Sequence, residues 1–256
     1  MNSLPLSDMC KRLLGPSDDV WQIHYDALAR TARGEDVVLM SVGDPDFDTP
    51  EEIIETLVSR IRQGRTHYSP AEGELELRQA IADLETQGTG RTFTADNFVV
   101  LPGATAAIYA SLACLCNPGD EVVIPEPMYI GYRPMLSALG LQARTVELDL
   151  ARDCTLDVDA ILAQVSPRTK AVLITTPGNP FGTIVPRETL AELAEARLAR
   201  GVWLLCDEVY SLFTFDEPHV SLLKAAKDLD NVIVVDGLSK SHAMTGWRIG
   251  WVASPA

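Results

Sequence analysis

Two different patterns of apolar and polar positions divide this 256-residue chain. From about residue 96 onward, short β-branched apolar runs alternate with longer segments of helical periodicity, which predicts an α/β domain with a mostly parallel sheet. The predicted strands are 98–101, 121–124, 144–147, 171–175, 202–206, 232–235 and 248–253. The predicted helices of this part are 105–116, 130–139, 158–165 and 187–200. In such sheets, ligands bind at the carboxyl ends of the strands.

The first 95 or so residues follow another pattern. They predict an amphipathic helix over 21–33, a short strand over 37–41, and two further helices over 51–63 and 74–85. Between the strand and the second helix lies a loop, 42–50, that is dense in Asp and Pro, residues typical of turns.

Composition narrows the class of protein. A hydrophobic content of 46% without low-complexity stretches indicates an ordered globular chain. No apolar run approaches the roughly 20 residues of a membrane helix, and the first twelve residues lack the apolar core of a secretory signal. A formal net charge of −15 argues against nucleic acid or an anionic membrane as partner.

Cysteine and histidine usage adds little chemistry. The five cysteines are scattered, which favours reduced thiols in a cytoplasmic protein, and the four histidines lack metal-ligand spacing. We therefore expect no metal site.

One lysine differs from the other four. Lys240 follows the predicted strand 232–235 among small residues, and Arg248 follows eight positions later. A pocket that lowers the lysine pKa from about 10.4 would make it a Schiff-base amine, and the arginine would bind a phosphate. Pyridoxal phosphate is a cofactor that requires both groups.

Polar residues also follow the other strands. Asp207 ends a buried strand and suits the ring nitrogen of such a cofactor, although a helix cap or turn carboxylate is the alternative. Asn179, between prolines and glycines, and Tyr210 could both bond a phenolic oxygen, although an ordinary Asn-Pro turn is the favoured explanation of Asn179 when this motif is taken alone.

Two further elements complete the pattern. The turn 101–105 leads from a strand into a helix, where backbone N–H groups and the hydroxyl of Thr105 suit a phosphate. Tyr129 follows another strand and offers an aromatic face for stacking, although most aromatics in such places belong to a core or an interface.

Together these five strand-end elements resemble the fold-type-I pyridoxal-phosphate enzymes of the class that includes aspartate aminotransferase, over residues 41–251. The resemblance implies a three-layer sandwich around a mostly parallel seven-stranded sheet. It also implies an N-terminal segment of a smaller domain, 1–50, and a cofactor-binding large domain, 51–256.

The resemblance assigns a role to each candidate residue. Lys240 forms the Schiff base with the cofactor and shuttles the proton, and Asp207 pairs with the pyridine nitrogen. The phenolic oxygen is bonded by Asn179, which also binds substrate, and by Tyr210, which is counted with the catalytic residues. Tyr129 stacks on the ring.

The remaining roles concern the phosphate, the substrate and a second subunit. Gly43 lies beside the substrate carboxylate, and Tyr68 reaches the phosphate of a neighbouring subunit, which implies a homodimer. The phosphate itself is held by Arg248 with the backbone around Gly103, Ala104 and Thr105.

The sequence departs from the family pattern in two places of consequence. Gly237 stands where the family often has a phosphate-binding serine, so one phosphate contact is expected to be lost or replaced by water. The family arginine that binds the substrate α-carboxylate lies in a C-terminal small domain, and the chain ends before it. We therefore expect a chain that binds cofactor and transaminates poorly.

The runs 21–30, 126–129 and 239–248 are most similar to the arginine–pyruvate aminotransferases. This implies transfer of an amino group from L-arginine, or another L-amino acid, to pyruvate or another 2-oxo acid. Two alternatives remain open. A β-lyase would use the same lysine and cofactor, and a binding domain without catalysis would have kept only the fold.

Overall fold

The computed structural model describes residues 4–14 and 21–255. Within these residues seven strands form one sheet with the spatial order β1-β7-β6-β5-β4-β2-β3. The strands are β1 Phe98–Leu101, β2 Glu121–Glu126, β3 Gln142–Glu147, β4 Thr169–Thr175, β5 Trp203–Asp207, β6 Val232–Gly237 and β7 Gly250–Ala253. All neighbouring pairs are parallel except those of β7, which runs antiparallel to both β1 and β6. The predicted mostly parallel seven-stranded sheet is confirmed.

The described residues also contain ten α-helices. They are α1 Asp8–Leu13, α2 Gln22–Ala32, α3 Glu51–Arg62, α4 Leu75–Thr89, α5 Ala104–Leu115, α6 Tyr132–Leu139, α7 Val158–Ala163, α8 Arg187–Arg200, α9 Leu222–Ala225 and α10 Leu238–Ser241. None of these helices is long and apolar enough to cross a membrane.

Three differences from the predicted elements have physical reasons. The helix α4 continues four residues past the predicted end, to Thr89, and stops at Gly90, whose left-handed φ of 76° suits a glycine. The strand β7 begins two residues later than predicted, because Arg248 itself adopts a left-handed φ of 57°. The predicted strand 37–41 is wrong: this segment is not a strand, and Val38 and Met40 are largely exposed.

The core lies on both faces of the sheet. Along β4, Val172 and Ile174 belong to one buried cluster, which also includes residues of α4, α8 and α9. Ala171 and Leu173 belong to a second cluster with residues of α5 and α6. Because successive strand residues point to opposite faces, helices cover the sheet on both sides, which is the predicted three-layer arrangement.

The strand register brings the carboxyl ends of the central strands to one edge of the sheet. Thr175 of β4 pairs with Asp207 of β5, and Asp207 pairs with Val235 of β6. The polar residues that follow these strands therefore share one neighbourhood, although up to about 60 residues of sequence separate them.

Candidate active site

A cavity of about 320 Å³ opens at this edge of the sheet. Its volume lies within the range of about 300–1,000 Å³ that is usual for small-molecule sites. The cavity is lined by nine of the residues that the sequence singled out: Gly43, Ala104, Thr105, Tyr129, Asn179, Asp207, Tyr210, Lys240 and Arg248. Gly103 lies directly behind the Arg248 guanidinium. Tyr68 does not line the cavity, and its side chain is fully exposed.

Lys240 lies in the short helix α10, three residues after the end of β6. Its Nζ donates a hydrogen bond to the carbonyl oxygen of Gly43, which belongs to the 42–50 loop. Burial lowers the pKa of the Lys240 amine, while nearby Asp44 raises it and Arg248 lowers it. The net shift favours the free amine, the form that reacts as a nucleophile.

Asp207 is a buried carboxylate at the end of β5. Its Oδ2 accepts a hydrogen bond from the Tyr132 hydroxyl at 2.5 Å, and its Oδ1 accepts one from the Val209 backbone N–H at 3.3 Å. Burial raises the pKa of Asp207 to about 6, although the Tyr132 bond acts in the opposite direction. No salt bridge to Asp207 forms within the described residues. A buried carboxylate without a cation fits a ligand that brings its own positive charge.

Tyr132 is a site residue that the sequence reasoning missed. It lies at the first turn of α6, and its hydroxyl also lies 2.9 Å from Oγ1 of Thr175. The ring packs edge-on against Tyr129, with the ring centroids 5.3 Å apart. Only the three-dimensional packing reveals its contact with Asp207, which lies 75 residues further along the chain.

Asn179 and Tyr210, which were predicted to share one target atom, lie next to each other. Nδ2 of Asn179 donates to the Tyr210 hydroxyl oxygen at 3.3 Å. Burial raises the pKa of Tyr210, so the phenol keeps its proton at neutral pH and can donate it to a bound oxygen.

Arg248 lies over the N-terminus of α5. Its Nη1 donates to the Thr245 carbonyl oxygen at 2.8 Å, and its Nη2 donates to the Pro102 carbonyl oxygen at 3.4 Å. A side chain at Gly103, the residue before α5, would collide with this guanidinium. The free N–H groups of the first helical turn and the guanidinium together make this corner suitable for an anion.

Gly237 shows why the serine of the family pattern is absent. A Cβ atom here would lie 2.8 Å from the Ile249 carbonyl oxygen and 3.1 Å from the Gly250 Cα. The two backbones approach each other through the bond from Leu238 N–H to Ile249 O at 3.1 Å. A serine would force these strands apart.

We expect Gly250→Ala to disturb the anion corner. Its Cβ would lie 2.5 Å from the Ala104 backbone nitrogen and 2.6 Å from the Gly103 carbonyl carbon, so the turn before α5 must move. Overpacking of this kind lowers the free energy of unfolding by about 1–3 kcal/mol, measured by denaturant titration. Affinity for pyridoxal phosphate, the ligand predicted above, is expected to fall as well.

Gly246→Ala is the matched control, because its Cβ would meet nothing within 4 Å. The same two measurements should leave this variant close to the wild-type chain. Equal effects of both substitutions would contradict the close approach at Gly250.

A second, more open cavity of about 840 Å³ continues outward from the first. A second molecule could reach the lysine amine from this side, because the two cavities share Val42, Gly43, Tyr129, Asn179, Tyr210 and Lys240.

The comparisons with known proteins agree with this geometry. A family model described as aminotransferase class I and II matches residues 35–256. Arginine–pyruvate transaminase AruH from Pseudomonas aeruginosa is 42% identical over 250 residues, which are 98% of this chain and 64% of that protein. Aspartate aminotransferase from Thermotoga maritima is 32% identical over 93% of this chain and 63% of its own length.

Among solved structures, aspartate aminotransferase from Thermus thermophilus with maleate matches with a TM-score of 0.92 and 31% identity. The match covers 99% of this chain and 65% of that one. The chain thus spans less than two thirds of the length of these relatives.

Proposed function

Because this chain belongs to the class I and II aminotransferases, we propose that it supplies the cofactor site of a pyridoxal-phosphate-dependent transaminase. The family uses this cofactor, and the reaction moves an amino group from an L-amino acid to a 2-oxo acid. We further propose L-arginine as donor and pyruvate as acceptor, since a relative named for this pair is 42% identical over 98% of the chain.

One observation carries the proposal. The buried carboxylate of Asp207, which forms no salt bridge with any described residue, faces the same cavity as the Lys240 amine and the Arg248 guanidinium. A ligand that fits needs a cationic ring atom, an electrophilic carbon and an anion on one rigid frame. Pyridoxal phosphate has all three, and when bound it supplies an aldehyde that captures amines and a ring that accepts electrons.

We assign the following roles to the residues of this cavity. Asp207 keeps the ring nitrogen protonated, and Tyr132 orients the Asp207 carboxylate through the 2.5 Å hydrogen bond. Tyr210 and Asn179 bind the phenolic oxygen, and Tyr129 packs on the ring face. Arg248 binds the phosphate together with the N–H groups around Gly103, Ala104 and Thr105.

Lys240 has two tasks in the proposed reaction. Its amine would hold the cofactor covalently, and as a free amine it would take the proton from the substrate Cα and return it. The lowered pKa of Lys240 supports both tasks, because each requires the unprotonated amine. Gly43, whose carbonyl oxygen accepts from Nζ, lies where the substrate carboxylate is proposed to bind.

A panel of amino donors with pyruvate tests the proposal on the purified chain. We expect uptake of pyridoxal phosphate, seen as a visible absorbance band that survives desalting, and slow formation of L-alanine with L-arginine as donor. Activity confined to dicarboxylic or aromatic donors would contradict the arginine assignment. Release of ammonia and pyruvate from a cysteine-type donor without any 2-oxo acid would instead indicate a β-lyase.

The arrangement of the whole protein is part of the proposal. We propose that residues 1–50 belong to a smaller domain and residues 51–256 to the large domain. We also propose a cytoplasmic homodimer in which the exposed Tyr68 reaches the phosphate of the other subunit. Sedimentation of the purified chain should give the mass of a dimer, and a monomer would contradict this arrangement.

A further inference from the structure

Thr49, near the end of the 42–50 loop, contacts the segment 238–249, which carries both Lys240 and Arg248. Its Oγ1 donates to the Ala243 carbonyl oxygen at 2.6 Å and accepts from the Trp247 indole Nε1 at 3.0 Å. One hydroxyl therefore ties down two points of a segment that lies more than 190 residues further along the chain.

The segment 238–249 is one whose backbone needs such support. Ala243 has a φ of 50° and Arg248 a φ of 57°, both in the left-handed region that residues with a Cβ disfavour. The backbone bonds from Met244 N–H to Ser239 O and from Trp247 N–H to Met244 O, each 3.1 Å, hold the intervening turn. Thr49 bonds Ala243, which is itself one of the two strained residues, and Trp247, which directly precedes the other, Arg248.

The loop that carries Thr49 also reaches the reactive amine. The Gly43 carbonyl oxygen of this loop accepts the hydrogen bond from Lys240 Nζ. The loop thus contacts the segment at Lys240 through Gly43 and at Ala243 and Trp247 through Thr49. Displacement of the loop 42–50 or of the segment 238–249 would move the lysine amine relative to the arginine guanidinium.

From these contacts we propose that Thr49 is a positioning residue: it holds the segment 238–249 so that Lys240 and Arg248 face one cavity together. This inference rests on the proposed function for the identity of the ligand that Lys240 and Arg248 hold. The hydroxyl itself touches neither the cavity nor the reacting atoms.

Thr49→Val and Thr49→Ser separate the hydroxyl from the side-chain volume. Valine keeps the branched shape and loses both hydrogen bonds, whereas serine keeps the hydroxyl. We expect Thr49→Val to weaken pyridoxal phosphate binding about tenfold, the effect of losing hydrogen bonds of ordinary strength. Thr49→Ser should bind as the wild-type chain does. Thr56→Val is the matched control, since Thr56 Oγ1 donates to the Glu52 carbonyl oxygen inside α3, at 2.7 Å, and has no hydrogen bond to another element of the described residues.

Hydrogen exchange on the cofactor-free chain gives an independent readout. In Thr49→Val the amides of Met244 and Trp247 should exchange faster, while those of β4 and β5 keep their rates. Unchanged exchange in this segment would overturn the inference, as would equal weakening of binding by valine and serine. If the wild-type chain takes up no cofactor, the proposed function fails, but the exchange rates still decide the role of Thr49.

Discussion

Lys240→Ala is expected to abolish covalent retention of pyridoxal phosphate and to remove transamination. The Lys240 amine is the group of the cavity with a lowered pKa that can both attach the cofactor and move a proton. Loss of a positioned general base alone lowers a rate by a factor of about 10²–10⁴. Reduction with borohydride followed by mass spectrometry measures the attachment directly, and L-alanine formation measures the turnover.

Lys170→Ala is the control for this experiment. Lys170 is exposed and lies at the start of β4, the end of the strand opposite to the cavity. Borohydride should trap the cofactor on this variant as it does on the wild-type chain, and the turnover should be unchanged. Trapped cofactor on the Lys240→Ala chain would show that another amine attaches it and that the role given to Lys240 is wrong.

Asp207→Asn is expected to act in opposite directions on stability and on binding. Burial raises the pKa of this carboxyl from 3.8 to about 6. Above pH 6 the ionised, unpaired Asp207 therefore lowers the free energy of unfolding by about 3 kcal/mol. Asparagine keeps the shape and can still accept from Tyr132, so the cofactor-free variant should be more stable at pH 8 by up to this amount.

The gain in stability from Asp207→Asn should depend on pH, because the pKa of Asp207 is raised in the folded chain. The native state holds the Asp207 proton more tightly than the unfolded chain, so this contribution to stability is complete below about pH 3.8 and disappears as the pH rises to about 6. The difference between wild type and Asp207→Asn should therefore grow between these two values and stay constant above them. Denaturant titrations of both chains at several pH values measure it.

Whereas the cofactor-free Asp207→Asn chain should be more stable, its affinity for the cofactor should fall. The asparagine cannot pair with a protonated ring nitrogen, and removing one partner of a buried ion pair weakens binding by about 10²–10³-fold. Asp159→Asn, at an exposed position of α7, should alter neither stability nor affinity. A variant that bound cofactor normally, or a cofactor-free variant less stable than wild type at pH 8, would contradict the role given to Asp207.

Much of the fold and the site was predictable because the signals are local. Most of the seven strands contain a short apolar run. Most of the polar residues of the site follow a strand directly, so the rule for strand carboxyl ends was enough to group them. Asp207 and Asn179 are examples.

What the sequence did not reveal depends on packing across long separations. The Tyr132 hydroxyl meets Asp207 across 75 residues, and Thr49 meets Trp247 across 198. No periodicity encodes such contacts. The predicted strand 37–41 failed for a related reason: an apolar run becomes a strand only when another strand pairs with it, and pairing cannot be seen in the run itself.

The position of β7 in the sheet has a consequence for how the chain matures. β7 is the sheet neighbour that joins β1 to β6, and it comes last of the seven strands from the ribosome. Until residues 248–253 emerge, β1 lacks its pairing with β7, and the turn between β1 and α5 lacks Arg248 above it. The parallel strands can assemble during synthesis, but the anion corner between Arg248 and the first turn of α5 can form only after this later segment has emerged.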